Sequence, residues 1–168
     1  MKALLIIAPS RFRDEEYFHT KEELEKARIG TVTASKTTDV AVGMLGGKAM
    51  PGITLNGVDV NAYDAVVFIG GGGSSVYFND PAALDIARRA EAAGKIVAAI
   101  CIATSILANA GILRGRKVTA FPSEETNLRA RGAEFTGASL TIDGRIITAN
   151  GPAAAKEFGR AIVKALGK

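Results

Sequence analysis

The sequence predicts an α/β protein with a doubly wound, mostly parallel sheet and helices on both faces. Three continuous apolar runs of strand length, at residues 3–8, 65–69 and 96–100, are typical of strands buried on both sides of a parallel sheet. Segments with helical periodicity alternate with these runs along nearly the whole chain. Because a helix usually connects two parallel strands, this alternation predicts helices that cover the sheet on both sides.

The remaining elements are predicted from their local patterns. Further strands are expected at residues 31–35 and 117–120, with a hairpin over residues 139–149 that turns at an Asp-Gly pair. Residues 37–61 are rich in glycine and poor in helical signals, so they are expected to form loops or a small hairpin. Helices are expected near residues 15–28, 82–93, 103–110, 124–131 and 152–166.

The helix over residues 82–93 has the clearest boundaries. Asn79 or Asp80 can cap its first turn, Pro81 suits the first helical position, and Gly94 ends it.

The composition excludes several classes of protein. With 48% apolar and 23% charged residues, the chain is typical of one soluble globular domain, residues 1–168. A single cysteine excludes a disulfide within the chain, and one cysteine with one histidine cannot form the usual zinc cluster of such residues. We expect no metal and no other cofactor. The first apolar run is too short for a signal peptide or a membrane span, so a cytoplasmic location is expected.

The net charge of +4 does not by itself indicate a nucleic-acid ligand. Basic residues are interspersed with acids, as over residues 21–28, and only seven Phe and three Tyr are available to stack on bases. We therefore expect neither a nucleic acid nor a membrane among the partners.

The carboxyl ends of the predicted strands indicate where a ligand would bind. Cys101, the only cysteine, comes directly after the strand at residues 96–100, with no turn residues before the next helix. Such a junction resembles the nucleophile elbow of hydrolases, in which a strained turn projects a side chain out of the sheet. The helix dipole would favour the thiolate there. The alternative is a buried cysteine that serves as a small apolar side chain.

Two other segments reach the same edge of the sheet. Gly70 and Gly71 open a run of four glycines whose N–H groups can approach an oxyanion closely, although a plain turn would use the same residues. Glu15 and Glu16 follow the first strand, where acids also occur simply because they suit the first turn of a helix. His19 lies one turn further on and is expected to be a surface or capping histidine.

In combination, these segments resemble the ThiJ/PfpI superfamily. The resemblance rests on residues 98–101 (Ala-Ala-Ile-Cys), the glycines that end an apolar strand, residues 12–16 (Phe-Arg-Asp-Glu-Glu) and the Gly-Pro pair at residues 151–152, and it covers nearly the whole chain. It implies a flavodoxin-like fold, related to the class I glutamine amidotransferases, with a cysteine at the elbow.

The resemblance also implies roles for single residues. Cys101 matches the elbow cysteine of the family, and Glu16 matches a glutamate that is usually protonated and donates a hydrogen bond to the thiolate. Gly70 and Gly71 match the backbone donors of the oxyanion pocket. A neutral acid beside a thiolate is consistent with electrostatics, because a second negative charge would be repelled.

Three positions depart from the family pattern. Ile102 follows the cysteine where protease-like members carry histidine, Phe121 precedes Pro122 where deglycase-like members carry histidine, and Ala103 stands where glycine is common. Neither usual Cys–His pair can form, because His19 is the only histidine and lies elsewhere. A histidine base contributes on the order of a hundredfold to ten-thousandfold in rate, so efficient hydrolysis by the family mechanism is not expected.

The resemblance therefore implies a cofactor-independent activity on small reactive carbonyl compounds, of the glyoxalase or deglycase type. Cys101 would be the nucleophile and Glu16 the acid and base. The N–H groups of Gly71 and Ile102 would hold the oxyanion, and Phe121 would line or block the pocket. Two alternatives stay open: a non-enzymatic stress protein that senses oxidants through Cys101, and a less supported cysteine peptidase or amidase. The resemblance also implies a homodimer or a larger homo-oligomer.

Overall fold

The structure is a computed structural model that describes residues 1–168. The strands are β1 (Lys2–Ile6), β2 (Ser10–Phe12), β3 (Gly30–Ser35), β4 (Ala41–Gly43), β5 (Lys48–Ala49), β6 (Ile53–Thr54), β7 (Ala65–Phe68), β8 (Ile96–Ile100), β9 (Lys117–Val118), β10 (Glu134–Phe135), β11 (Leu140–Asp143) and β12 (Ile146–Ala149). The helices are α1 (Asp14–Lys26), α2 (Pro81–Ala92), α3 (Thr104–Asn109), α4 (Glu125–Ala130) and α5 (Ala155–Ala165). Short 3₁₀ turns connect several of these elements.

Seven strands form the main sheet, which confirms the predicted α/β class. Their order is β11-β12-β8-β7-β1-β3-β6, and β11 alone runs antiparallel to its neighbour. The chain first adds β3 on one side of β1, and it later adds β7 and then β8 on the other side of β1. The direction in which the chain adds strands to the sheet therefore reverses at β1. In doubly wound folds, ligands bind at the carboxyl ends of the strands beside such a reversal.

The sheet is buried on both faces because its strands are apolar on both sides. In β1, Leu4 and Ile6 belong to one core cluster, whereas Ala3 and Leu5 belong to the other. Helices α2 and α3 pack on the first face, and α1 and α5 pack on the second. This arrangement is the one that continuous apolar runs predict.

Helices α1 and α5 approach each other closely at Gly159. A Cβ on Gly159 would lie 2.9 Å from the Cβ of Glu23 and 3.3 Å from the Cα of Thr20. Next to this contact, Arg160 Nε donates to Glu23 Oε2 at 3.2 Å. The packing of α5 therefore helps to hold α1, the helix that carries Glu16, against the sheet.

The predicted boundaries of α2 are confirmed. The Asp80 side chain, rather than that of Asn79, accepts from the Ala83 N–H at 3.3 Å, and Pro81 is the first helical residue. Gly94 follows the last turn with φ +70°, which is the left-handed conformation common just after a helix.

Other elements differ from the sequence prediction. β9 covers two residues and pairs with β10 in a separate sheet, because β12 takes the place beside β8 in the main one. The small hairpin expected in residues 37–61 is formed by β4 and β5, and it pairs with β2 in a three-stranded sheet. In the same segment, β6 forms a strand that was not expected, at the edge of the main sheet beside β3. The segments predicted as helices at residues 103–110 and 152–166 begin with 3₁₀ turns before α3 and α5.

None of the five helices is both long enough and apolar enough to cross a lipid bilayer.

Candidate active site

Cys101 occupies a strained turn at the carboxyl end of β8. Its backbone φ is +62°, a left-handed value that costs a residue with a side chain roughly 1–2 kcal/mol, while Ile100 before it is fully extended. A 3₁₀ turn, Cys101–Ala103, then leads into α3, so the six-residue helix does not begin directly at the cysteine. The sharp change of direction has the geometry that the elbow hypothesis requires.

Glu16 lies on α1 beside Cys101 and is completely buried. Neither of its carboxyl oxygens has a partner at full hydrogen-bonding geometry. The Cys101 thiol and the Gly70 N–H nevertheless lie close enough to the carboxyl group to lower its pKa. A buried and incompletely satisfied carboxyl group costs stability, so its position beside the thiol points to a chemical role.

Gly70 makes the approach of Glu16 and Cys101 possible. A Cβ at this position would lie 2.6 Å from Glu16 Oε1 and 2.7 Å from Cys101 Cβ, so any larger residue would separate the two side chains. The N–H of Gly70 faces the carboxyl group of Glu16. The assignment of Gly70 to the oxyanion pocket stays a prediction.

The N–H groups of Gly71 and Ile102 face the sulfur of Cys101, where both favour the thiolate. Gly71 has φ +100°, and a Cβ there would strike the backbone of residues 11–13, so only glycine fits. Two N–H donors on one sulfur can also hold an oxygen that develops negative charge beside it. The structure thus brings together the two donors that were proposed from the sequence.

Burial raises the pKa of both ionisable groups of the pair. The pKa of Glu16 rises to about 8, chiefly through burial, although the thiol and Arg13 lower it in part. This direction agrees with the expected neutral acid. The pKa of Cys101 rises to about 12, chiefly through burial and also through the charge of Glu16. The N–H groups of Ile102 and Gly71 act in the opposite direction and lower this pKa in part. The net rise is opposite to the direction that a helix dipole would give, because Cys101 is only 8% exposed and α3 is short.

A cavity of about 220 Å³ opens onto Cys101. Its walls consist of Arg13, Met44, Gly71, Gly72, Cys101, Ile102, Phe121 and Pro152. Phe121 lines this cavity and leaves it open, and its N–H donates to the Cys101 carbonyl at 3.2 Å. Although β9 lies outside the main sheet, that hydrogen bond still brings Phe121 to the site.

Four residues of the cavity wall, Arg13, Met44, Gly72 and Pro152, were missed by the sequence reasoning. Arg13 belongs to the segment that carries the family resemblance, but its charge drew no attention beside the two glutamates that follow it. Met44 sits in the loop between β4 and β5, where no sequence signal connects it to Cys101. Asp14 holds that loop, since its carboxylate accepts from the N–H groups of Leu45 and Gly47, both at 2.8 Å.

His19 lies outside the cavity, further along α1. The structure therefore supplies no histidine to Cys101 from its own chain. No three acidic, cysteine or histidine side chains converge closely enough to hold a metal ion.

The doubly wound, mostly parallel sheet places the chain in the class of flavodoxin-like α/β proteins. Residues 1–165 match the model of the DJ-1/PfpI family, and the chain belongs to that family.

Individual relatives agree with this assignment. An uncharacterized protein of Methanocaldococcus jannaschii is 36% identical over 99% of this chain and 83% of its own length. A deglycase of Pyrococcus horikoshii is 31% identical over 99% of both chains. A glutathione-independent glyoxalase of Caenorhabditis elegans is 25% identical over 98% of this chain and 88% of its own. The crystal structure of a ThiJ/PfpI domain protein from Brachyspira murdochii superposes with a TM-score of 0.97, at 34% identity, over 99% of this chain and 96% of that one.

Proposed function

We propose that the protein converts small reactive carbonyl compounds, as a cofactor-independent enzyme of the glyoxalase or deglycase type. The observation that carries the proposal is the fully buried Glu16 carboxyl group, which lacks a full hydrogen-bond partner beside the only cysteine. The names of the deglycase and glyoxalase relatives support the same class of reaction.

The order in which the pair loses protons suits this chemistry. Because the pKa of Glu16 is about 8 and that of Cys101 about 12, the acid ionises first and the thiol stays neutral. An ionised Glu16 can then accept the thiol proton while the sulfur bonds to an aldehyde carbon. The N–H groups of Gly71 and Ile102 are placed to hold the resulting oxyanion until Glu16 returns the proton to it.

The remaining steps also need only this acid. With an α-oxoaldehyde, Glu16 moves a proton from the former aldehyde carbon to the neighbouring carbonyl carbon, while the hydroxyl proton passes from the former aldehyde oxygen to the oxygen of that carbonyl. This leaves an α-hydroxy thioester on Cys101. Water then cleaves the thioester and releases an α-hydroxy acid with the free thiol. The overall reaction adds one water molecule and requires neither an oxidant nor a histidine.

The test is turnover of methylglyoxal to lactate by the purified protein. We expect Cys101→Ala to lower kcat/KM by more than about a hundredfold, and Glu16→Gln to lower it by about a hundredfold. His19→Ala is the matched control and should retain the wild-type rate, because His19 lies outside the cavity. Turnover by wild type that does not exceed that of Cys101→Ala would contradict the proposal.

The redox alternative is tested in the same preparations. Its support is that the chain supplies no histidine near Cys101, while the cavity gives oxidants access to the sulfur. A sensor should gain about two oxygens at Cys101 in intact mass after mild peroxide, without turnover of methylglyoxal. Cys101→Ser should gain none at that position.

We propose further that the protein works in the cytoplasm as a homodimer or larger homo-oligomer. A reducing compartment keeps a free catalytic thiol available. Large apolar side chains remain exposed around the β4–β5 hairpin, namely Val40, Val42, Met44, Leu45 and Met50, with Phe18 of α1 nearby. A second copy of the chain is the partner we propose for this surface.

A further inference from the structure

We propose that Arg13 selects substrates that carry a carboxylate, so that the preferred substrates are small anionic α-oxoaldehydes. This inference rests on the proposed function, and it concerns the same cavity. Arg13 is the only charged residue in the cavity wall, which it shares with Cys101.

The guanidinium of Arg13 is held at the cavity with donors to spare. Its Nε donates to Glu15 Oε2 at 2.6 Å, whereas its Nη1 and Nη2 groups make no hydrogen bond within the protein. Its backbone N–H donates to the Gly70 carbonyl at 2.9 Å, which ties residue 13 to the glycines beside the thiol. Two free Nη groups are the donors that bind a carboxylate in bidentate fashion.

A second arginine keeps this end of the cavity positive although Glu15 neutralises part of the Arg13 charge. A Cβ on Gly72 would lie 2.9 Å from Nη2 and 3.3 Å from Cζ of Arg11, so that guanidinium rests directly on Gly72, another residue of the wall. Arg11 forms no ion pair with any acid of the chain.

Nothing in the cavity opposes an anion. The wall contains no acidic side chain, since Glu16 is completely buried and is not part of it. The cavity of about 220 Å³ has room for a chain of a few carbons between the sulfur and the guanidinium. A substrate with an α-oxoaldehyde at one end and a carboxylate at the other therefore matches both groups.

The probe with this structure is γ,δ-dioxovalerate. Its aldehyde carbon would bond to the sulfur of Cys101 and its carboxylate would bind Arg13. Proton transfer through Glu16 and cleavage by one water would yield α-hydroxyglutarate, with the same atom balance as methylglyoxal and lactate. Methylglyoxal has the same reacting end and no carboxylate, so the ratio of the two kcat/KM values isolates the contribution of the charge.

We expect Arg13→Gln to lower the ratio of kcat/KM for γ,δ-dioxovalerate to that for methylglyoxal by about tenfold, the effect of one charge-assisted contact at a partly exposed site. Arg13→Lys should retain part of the preference. Arg28→Gln is the control, since it removes the same charge from an exposed arginine that follows the far end of α1 and lies outside the cavity. An unchanged ratio in Arg13→Gln, with turnover of both substrates intact, would overturn the inference and leave the proposed function standing.

A second measurement does not depend on turnover. Iodoacetate and iodoacetamide alkylate the same sulfur and differ only in carrying a carboxylate or an amide. The ratio of their rates at Cys101 should fall about tenfold in Arg13→Gln and stay constant in Arg28→Gln. If neither aldehyde is converted, the proposed function fails, and this ratio still decides whether Arg13 attracts a carboxylate.

Discussion

At the scale of one residue, the buried carboxyl group of Glu16 lowers the stability of the protein and places an acid beside the thiol. Its side chain is fully buried, and the nearest groups satisfy its oxygens only in part. The unfolded chain would leave the same carboxyl group in water, where it ionises at an ordinary pH. Folding therefore opposes ionisation of Glu16, and the free energy of unfolding must depend on pH.

We predict that the wild type loses stability as pH rises from about 5 to about 9. Burial raises the pKa of Glu16 from 4.5 in the unfolded chain to about 8 in the folded one, so the folded state holds its proton longer. This contribution to stability is complete below the pKa that Glu16 has in the unfolded chain. It is lost as pH rises through the pKa that Glu16 has in the folded protein. The difference in unfolding free energy between wild type and Glu16→Gln should change by up to about 4 kcal/mol over this range.

Urea titrations of wild type and Glu16→Gln, at about pH 5 and at about pH 9, measure this difference in unfolding free energy. Glu22→Gln, an exposed acid on the same helix, serves as the control and should show a much smaller change. Parallel pH profiles for wild type and Glu16→Gln would show that the buried carboxyl group does not titrate as we expect.

At the scale of elements, one carboxylate at the start of α1 helps to hold the loop between β4 and β5. Asp14 accepts from the N–H groups of Leu45 and Gly47, and it is 8% exposed. A Cβ on Gly47 would lie 2.5 Å from Asp14 Oδ1, so the loop is built around this side chain. Because the same loop carries Met44 to the cavity, Asp14 shapes the wall opposite Cys101 without contacting substrate.

We predict that Asp14→Ala destabilises the protein by about 2–3 kcal/mol, since two partly buried N–H groups lose a charged acceptor. Amide hydrogen exchange at Leu45 and Gly47 should become faster. Asp59→Ala, which removes the cap of a short exposed turn, should cost no more than about 1 kcal/mol and leave both amides unchanged. Unaltered protection of Leu45 and Gly47 in Asp14→Ala would show that the loop is held by other contacts.

At the scale of the whole molecule, one surface stands out because it combines exposed apolar side chains with a groove. The groove has a volume of about 570 Å³, runs between α1 and β3, and includes Phe18 and Met50 in its lining. It does not reach Cys101. Met50 is 72% exposed and Leu45 is 66% exposed, values that are unusual for neighbouring apolar side chains on a monomer.

We predict that the wild type is a dimer or larger assembly when its mass is measured by light scattering. The double substitution of Leu45→Lys and Met50→Lys should raise the dissociation constant at least about tenfold, because each introduces a charge at the apolar surface. Ile142→Lys, at an exposed apolar position on edge strand β11, is the control and should leave the assembly unchanged. A monomeric wild type at all accessible concentrations would refute this proposal.

Much of this architecture could be predicted from local patterns. Apolar runs are long enough to identify β1, β7 and β8, and Pro81 and Gly94 mark the boundaries of α2 because backbone stereochemistry restricts where they fit. The short strands β9 and β6 could not be placed in the same way. Two residues carry no periodicity, and their partners, β10 for β9 and β3 for β6, depend on how distant parts of the chain come together.

The sequence by itself determined the fold class and the position of Cys101 at the end of a strand, and the family resemblance made Glu16 a candidate, because strand ends and a distinctive combination of motifs are local properties. Only the tertiary structure decided the electrostatics of the site. It placed Glu16 with Gly70, raised the pKa of the thiol through burial, and brought Arg13 into one cavity with a methionine from a separate loop. Burial and charge proximity depend on residues distant along the chain, so they appear only when the chain is folded.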